Sequence, residues 1–323
     1  MYKIVRFLMI ALVLLTVAIA CGPTPEPQPT NTPAPPLTPT LEVAAFPLTI
    51  TDDLGREVTV KARPQRIVSL APSNTEILFA IGAGDQVVGV TTYCNYPPEA
   101  QNREQIGGFS ATTISVEKIV ALQPDLVFSV GEIQRPAIEA LERVGITVVA
   151  LDPNNFDEVY ATIERMGRLT GHEQEAAQIV ADMKARVAAV QERVATIPEE
   201  ERLTVFWETY DEPLMTVGTA SFTHQLIELA GGVNIFADLT EAYPQVNAEE
   251  VIKRNPAVIM GADSMGDKLT TELVGQRPGW GQVQAVQNGR IHLFNGDMVS
   301  RTGPRLAQVL EEMARALYPD VFE

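Results

Sequence analysis

Apolar and polar positions follow a helical period over one long stretch near the middle of the chain. From Glu173 to Val194 the larger apolar residues fall at Ile179, Met183, Val187, Val190 and Val194, after the small Ala176. Steps of three and four residues place one apolar stripe along a helix. Good helix formers fill the other positions, with no Gly or Pro inside. Gly171 precedes the stretch and Pro198 follows it, so both ends carry stop signals. At 1.5 Å per residue such a helix is roughly 33 Å long, about one domain diameter. Placed at mid-chain between two regions of short alternating elements, it predicts a strut joining two lobes.

Before the strut, strand-like alternation from Leu48 to Val60 flanks the turn signal Asp53-Leu54-Gly55 and predicts a hairpin. Short apolar strands are expected at 66–70, 87–90, 126–130 and 147–151, and helices at 75–81, 115–122, 136–144 and 156–169. After the strut, strands are expected at 204–208, 257–260 and 290–294, and helices at 222–230, 249–254 and 304–317. Short apolar strands alternating with helices specify mostly parallel sheets covered on both faces. Ligands of such sheets sit in the loops beyond the strand ends.

Two passages recur in the same order on either side of the strut. Residues 73–84 (SNTEILFAIGAG) parallel residues 221–232 (SFTHQLIELAGG), each a Ser, an apolar helix and a Gly-rich exit. Residues 115–128 (SVEKIVALQPDLVF) parallel residues 247–260 (NAEEVIKRNPAVIM), each a capping residue, a Glu two positions on, a short helix, a Pro and an apolar strand. The fold class that follows is α/β, with two Rossmann-like lobes of mostly parallel sheet joined by one long rigid helix and a cleft between them. Glu117 and Glu249 hold equivalent places in the repeat, each in the first turn of a helix, where the dipole favours an anion. On their own, such carboxylates are ordinarily just solvated.

The start of the chain adds an address. Lys3 and Arg6 lead into an apolar run from Phe7 to Ala20, too short for a comfortable membrane span and followed by small residues, as in an export signal. Ala18-Ile19-Ala20-Cys21 resembles a bacterial lipobox, with Ala18 in place of the usual Leu, and implies that Cys21 is lipidated. An ordinary export signal with an incidental Cys is the alternative. Residues 22–40 are dense in proline, which forbids helix and sheet and makes an extended tether. The expected organisation is 1–21 signal, 22–45 tether, 46–170 N-terminal lobe, 171–197 connecting helix and 198–323 C-terminal lobe.

The formal charge of −17 argues against nucleic acid and against a basic membrane-binding face. Of two cysteines, lipid on Cys21 leaves Cys94 without an intrachain partner. The three histidines (172, 224, 292) lack metal-ligand spacing. There is no G-x-S-x-G, no H-E-x-x-H and no Gly-rich phosphate loop. An exported hydrolase therefore lacks its usual signatures, and a binding protein without chemistry of its own is the expectation.

From Pro64 to the C-terminus the chain resembles the substrate-binding proteins of ABC importers for vitamin B12, ferric siderophores and haem, the members with a helical backbone between lobes. The resemblance rests on residues 66–76 (RIVSLAPSNTE), 89–98 (GVTTYCNYPP), 120–127 (VALQPDLV) and 228–236 (ELAGGVNIF), and is nearest to the B12-binding branch. It implies that Glu117 and Glu249 dock onto arginines of a membrane permease dimer, which works with its ATPases. It also implies a ligand cleft lined by Ser73, Asn74, Tyr93, Phe109, Tyr243, Asp297, Met298 and Arg301. Phe109 and Tyr243 stand where the B12 branch has Trp. A corrinoid is a broad plate with a polar rim and needs flat apolar walls and a few edge hydrogen bonds. The implied cargo is a corrinoid; the alternatives are a ferric siderophore, with Arg301 as the cationic contact, or haem, with Tyr93 on the iron. The protein is expected to be an extracytoplasmic, lipid-anchored monomer with no cofactor of its own. Tyr96 reads as a turn anchor, Trp280 as packing, and Trp207 as facing either core or cleft.

Overall fold

The structure is a computed structural model and describes residues 45–263 and 269–322. The expected signal, the tether up to residue 44, and Cys21 lie outside the described residues.

The first lobe opens with a hairpin, β1 (Leu48–Thr51) and β2 (Glu57–Val60), turning at Gly55 with φ 74°. Then come β3 (Ile67–Ser69), α1 (Pro72–Ala80), β4 (Val87–Val90), β5 (Glu104–Gln105), α2 (Val116–Ala121), β6 (Leu126–Ser129), α3 (Arg135–Arg143), β7 (Val148–Ala150) and α4 (Phe156–Thr170). The central helix is α5 (Glu173–Val194). The second lobe holds β8 (Thr204–Glu208), a small hairpin of β9 (Tyr210–Asp211) and β10 (Leu214–Met215), α6 (Phe222–Leu229), β11 (Val233–Asn234), α7 (Ala248–Arg254), β12 (Val258–Ala262), α8 (Thr271–Gln276), α9 (Gln284–Gln287), β13 (Ile291–Phe294), α10 (Gly296–Ser300) and α11 (Leu306–Leu317).

Two parallel sheets result. Their strand orders are β5-β4-β3-β6-β7 and β11-β8-β12-β13. With the short edge strand β5 set aside, the first sheet runs β4-β3-β6-β7, the same order of connection as the second. The internal repeat is therefore topological. Its finer marks agree: Ser115 and Asn247 each cap a helix by accepting from the N–H three residues on, at 3.3 and 2.8 Å. Gln123 (φ 48°) and Asn255 (φ 47°) end those helices in the left-handed region, each just before a proline. In the other repeated passage the sequence register is one residue out. The left-handed exits are Gly82 and Gly231, both at φ 86°, so Gly82 matches Gly231 rather than Ala230.

Period-two alternation divides the strand side chains between two faces. Ile67, Leu126, Phe128, Val205, Val258 and Met260 enter one continuous core that also contains α4, α5 and α11. Val68, Val127 and Val148 point to a second core under α2 and α3, and Phe206 and Ile259 to a third under α7 and α8. The buried stripe of α5 is Ala176, Val180, Met183, Val187, Val190 and Val194, so Val180 takes the place expected of Ile179. The four-three alternation of these positions serves two helices, α4 and α11, at once. Arg186 of α5 pairs with Glu311 of α11 through two bonds of 2.7 Å.

The lobes are not held apart by α5 alone. Phe156 at the start of α4 meets Phe222 of α6 with ring centroids 5.3 Å apart, and its N–H donates to Gln225 Oε1 at 3.2 Å. Both lobes belong to one compact unit.

Candidate functional site

In a parallel sheet every strand ends on the same edge, so the loops that follow gather there. In the first lobe these are the turn into α1, the loop after β4 and the turn after β6; in the second, the β9–β10 hairpin, the segment after β11 and the turn into α10. The two edges face each other. Asn95, after β4, donates to Asp297 Oδ2 of α10 at 2.7 Å, and Arg301 donates to the Tyr93 carbonyl at 3.2 Å and to Asn95 Oδ1 at 2.7 Å.

Among the described residues, the exposed aromatic rings are four tyrosines, and all four lie on these segments. Tyr93 (59% exposed) and Tyr96 (44%) follow β4, Tyr210 (48%) follows β8 and Tyr243 (53%) follows β11. The Tyr243 segment is fixed by N–H donation from Thr216 to the Pro244 carbonyl and from Gly218 to the Ala242 carbonyl, at 3.1 Å each. Phe109 is half-buried. Its carbonyl accepts from Gln134 Nε2 at 2.8 Å, and the same fully buried amide donates to the Leu70 carbonyl and accepts from the Val130 N–H. Gln134 thus ties three cleft-edge loops together. Sequence reasoning passed over both Gln134 and Tyr210; the turn Asp211-Glu212-Pro213 just after Tyr210 was the available signal for the hairpin.

Several expected contacts have other occupations. The helix α1 begins at Pro72, whose fixed φ suits a first helical position, so Ser73 and Asn74 sit within its first turn rather than on a loop. Asn74 is 1% exposed and donates to the Ser129 carbonyl at 3.0 Å, stitching α1 to β6. Ser73 stays half-buried at the cleft edge. Met298 belongs to the common core. Arg301 is buried and paired with Glu76 at 2.9 Å and Asp297 at 2.7 Å, so it does not project a free cation into the cleft. Asp297 keeps a half-exposed carboxylate. Trp207 stacks on Phe294 in the core, and Trp280 is buried against Phe206 beneath Arg277. Tyr96 packs under Arg305, 4.1 Å from its ring centre.

Cys94 is buried beside the Thr75 and Thr91 hydroxyls, with Sγ at 3.1 and 3.2 Å. Burial pushes its thiol pKa up, against the opposing effect of those hydroxyls, and keeps it a neutral, unreactive thiol. Among the described residues there is no group of three or more His, Cys, Asp or Glu that could hold a metal, and no helix long and apolar enough to cross a membrane.

Glu117 and Glu249 are exposed, each the second residue of its helix, α2 and α7. Neither makes a side-chain ion pair among the described residues, whereas their neighbours do: Lys118 with Glu104, and Glu250 with Arg254.

Residues 67–297 match the periplasmic binding protein family. The chain belongs to this family. It is 39% identical over 283 residues to an uncharacterized ABC transporter substrate-binding lipoprotein, YvrC, of Bacillus subtilis, covering 86% of this chain and 88% of that one. It is 33% identical over 261 residues to a vitamin B12-binding protein of Pectobacterium atrosepticum, covering 79% and 89%. A solved structure, a possible iron-binding periplasmic solute-binding protein from Staphylococcus epidermidis, superposes with a TM-score of 0.70 at 30% identity, covering 80% of this chain and all of that one. Family members of this kind share the two-sheet α/β architecture described above.

Proposed function

We propose that this periplasmic binding protein is the extracytoplasmic substrate-binding component of an ABC importer, holding a corrinoid in the cleft between its lobes and handing it to a membrane permease. The observation that carries the reading is the set of exposed tyrosines contributed by both lobes to facing loops. Tyr93, Tyr210 and Tyr243 supply flat, amphipathic surfaces for a plate-shaped ligand, and Asp297 offers an acceptor for its amide rim. The 33% identity to a vitamin B12-binding protein supports the same cargo. Binding is non-covalent and the protein performs no reaction. Because α5 is packed along both α4 and α11, little lobe movement accompanies capture. Lipid on Cys21 and the proline-rich tether would keep the body near the permease, and Glu117 and Glu249 would meet it.

An iron complex, either a ferric siderophore or haem, is the second reading, favoured by the likeness to a possible iron-binding protein. Calorimetry of the purified mature chain against cyanocobalamin, haemin and a ferric hydroxamate separates the readings. Cyanocobalamin is expected to bind; no heat with it, alongside binding of either iron complex, refutes the corrinoid assignment.

A further inference from the structure

The arginines at the carboxyl ends of the strands carry a common feature. Arg135, opening α3, pairs with Glu132. Arg277, at the end of α8, forks onto both oxygens of Glu208 at 2.6 and 2.8 Å, at the last residue of β8. Arg301 and Arg305 converge on Glu76 of α1. Arg305 reaches Oε2 through Nε at 2.8 Å and Oε1 through a terminal nitrogen at 2.6 Å, while Arg301 reaches Oε1 at 2.9 Å. Asp297 takes the other terminal nitrogen of Arg301 at 2.7 Å. Two guanidinium groups thus meet two carboxylates, and the cluster is neutral.

Glu76 is 3% exposed and Arg301 is 7% exposed. The cluster crosses from one lobe to the other, bonding the Tyr93 carbonyl and Asn95 and covering the Tyr96 ring, so it floors the cleft between the loops that carry the exposed tyrosines. Two converging arginine forks are the natural receptor for a carboxylate or another planar anion. Here that receptor is already filled by a side chain of the protein.

We propose that Glu76 determines the charge class of the cargo: by occupying Arg301 and Arg305 it leaves the cleft floor neutral, so the site takes an uncharged plate and turns away a polyanionic complex. The inference rests on reading the cleft as the cargo site, and it adds a specificity residue that no ligand contact would reveal. An anionic cargo would have to displace a carboxylate tethered within the fold. An uncharged cargo loses nothing to the cluster, because no unpaired cation is desolvated when it binds.

The test uses the mature chain, wild type and Glu76→Gln, with cyanocobalamin (uncharged) and a ferric tris-catecholate trianion as probes. Wild type is expected to prefer cyanocobalamin and to hold it with less than about twofold change in affinity between low and high salt, since the cargo is uncharged and the cluster beneath it carries no net charge. Glu76→Gln is expected to gain about tenfold or more for the trianion, with a strong salt dependence. Circular dichroism checks that the variant folds. If it does not, Asp297→Asn carries the charge test through the trianion alone, since it removes the half-exposed carboxylate from Arg301 but is also a proposed cargo contact, and a gain of the same sign is expected. Wild type binding the trianion as tightly as cyanocobalamin overturns the proposal. So does a folded variant with no gain. Failure of cyanocobalamin to bind, together with a gain for the trianion, removes the corrinoid reading and leaves the role of Glu76 standing.

Discussion

At the scale of single residues, buried carboxylates decide how the segments are joined. Asp52 directly follows β1 with its side chain fully buried, and it accepts from the N–H groups of Leu54, Arg56 and Ala150 and from the Arg56 guanidinium. Burial alone would raise its pKa, yet the Arg56 bonds and the Ala150 N–H outweigh that and hold it below the ordinary 3.8. A depressed folded-state value contributes stability that is present above the unfolded pKa and lost as pH falls through the folded one. Asp52→Asn is therefore expected to cost about 2 kcal/mol at neutral pH, the range for hydrogen bonds to a charged group. The gap to wild type should close below about pH 4, as the wild-type carboxyl protonates. Urea unfolding at several pH values measures this, and a gap independent of pH would refute it. Asp52 was legible in the sequence only as part of a hairpin, because its partner Ala150 is set by the packing of that hairpin onto β7. Arg301 shows the same limit more sharply. As a cation near an expected cleft it reads as a ligand contact, and only the placement of Glu76, 225 positions earlier in the chain, turns it inward.

Elements with a strong local signal were readable, and those defined by a partner were not. The span of α5, the strands β4 and β8, and the repeated helix–proline–strand units follow from period and punctuation within a few residues. The hairpin of β9 and β10 and the edge strands β5 and β11 are two residues long, and pairing rather than pattern creates them. The stripe of α5 shifts from Ile179 to Val180 because α4 and α11 flank it on adjacent faces, which the helix's own sequence does not encode. At Gly167 α4 comes close to the start of α5: a Cβ built there lies 2.5 Å from the Ala176 Cβ and 3.0 Å from the His172 carbonyl oxygen. In an isolated helix Gly→Ala gains about 1 kcal/mol. Here overpacking of about 1–3 kcal/mol opposes it and should win. Gly167→Ala is expected to lower the denaturation midpoint, and a midpoint at or above wild type would show that the two helices separate freely.

At the scale of the whole molecule, the duplicated topology gives each lobe the same exposed carboxylate. Ser115 and Asn247 cap α2 and α7 in the same way, and the left-handed Gln123 and Asn255 end them the same number of residues later, so Glu117 and Glu249 are presented alike. Their neighbours' charges are engaged within the protein, whereas these two make no ion pair among the described residues. A partner with two similar subunits can use one kind of cationic patch twice, and a permease dimer fits that description. Exposed carboxylates contribute little to stability beyond about 1 kcal/mol each from the helix dipole, so reversing both should leave the fold and the cleft intact. Glu117→Arg with Glu249→Arg is accordingly expected to abolish uptake of the cargo by cells carrying the importer, while calorimetry returns an unchanged ligand affinity and the melting midpoint falls only slightly, by the loss of two favourable helix-dipole contacts. Each single reversal should give an intermediate loss, because one remaining contact would still orient the protein on the permease. Uptake at the wild-type rate by the double variant would separate these two carboxylates from docking and place the contact surface elsewhere on the lobes.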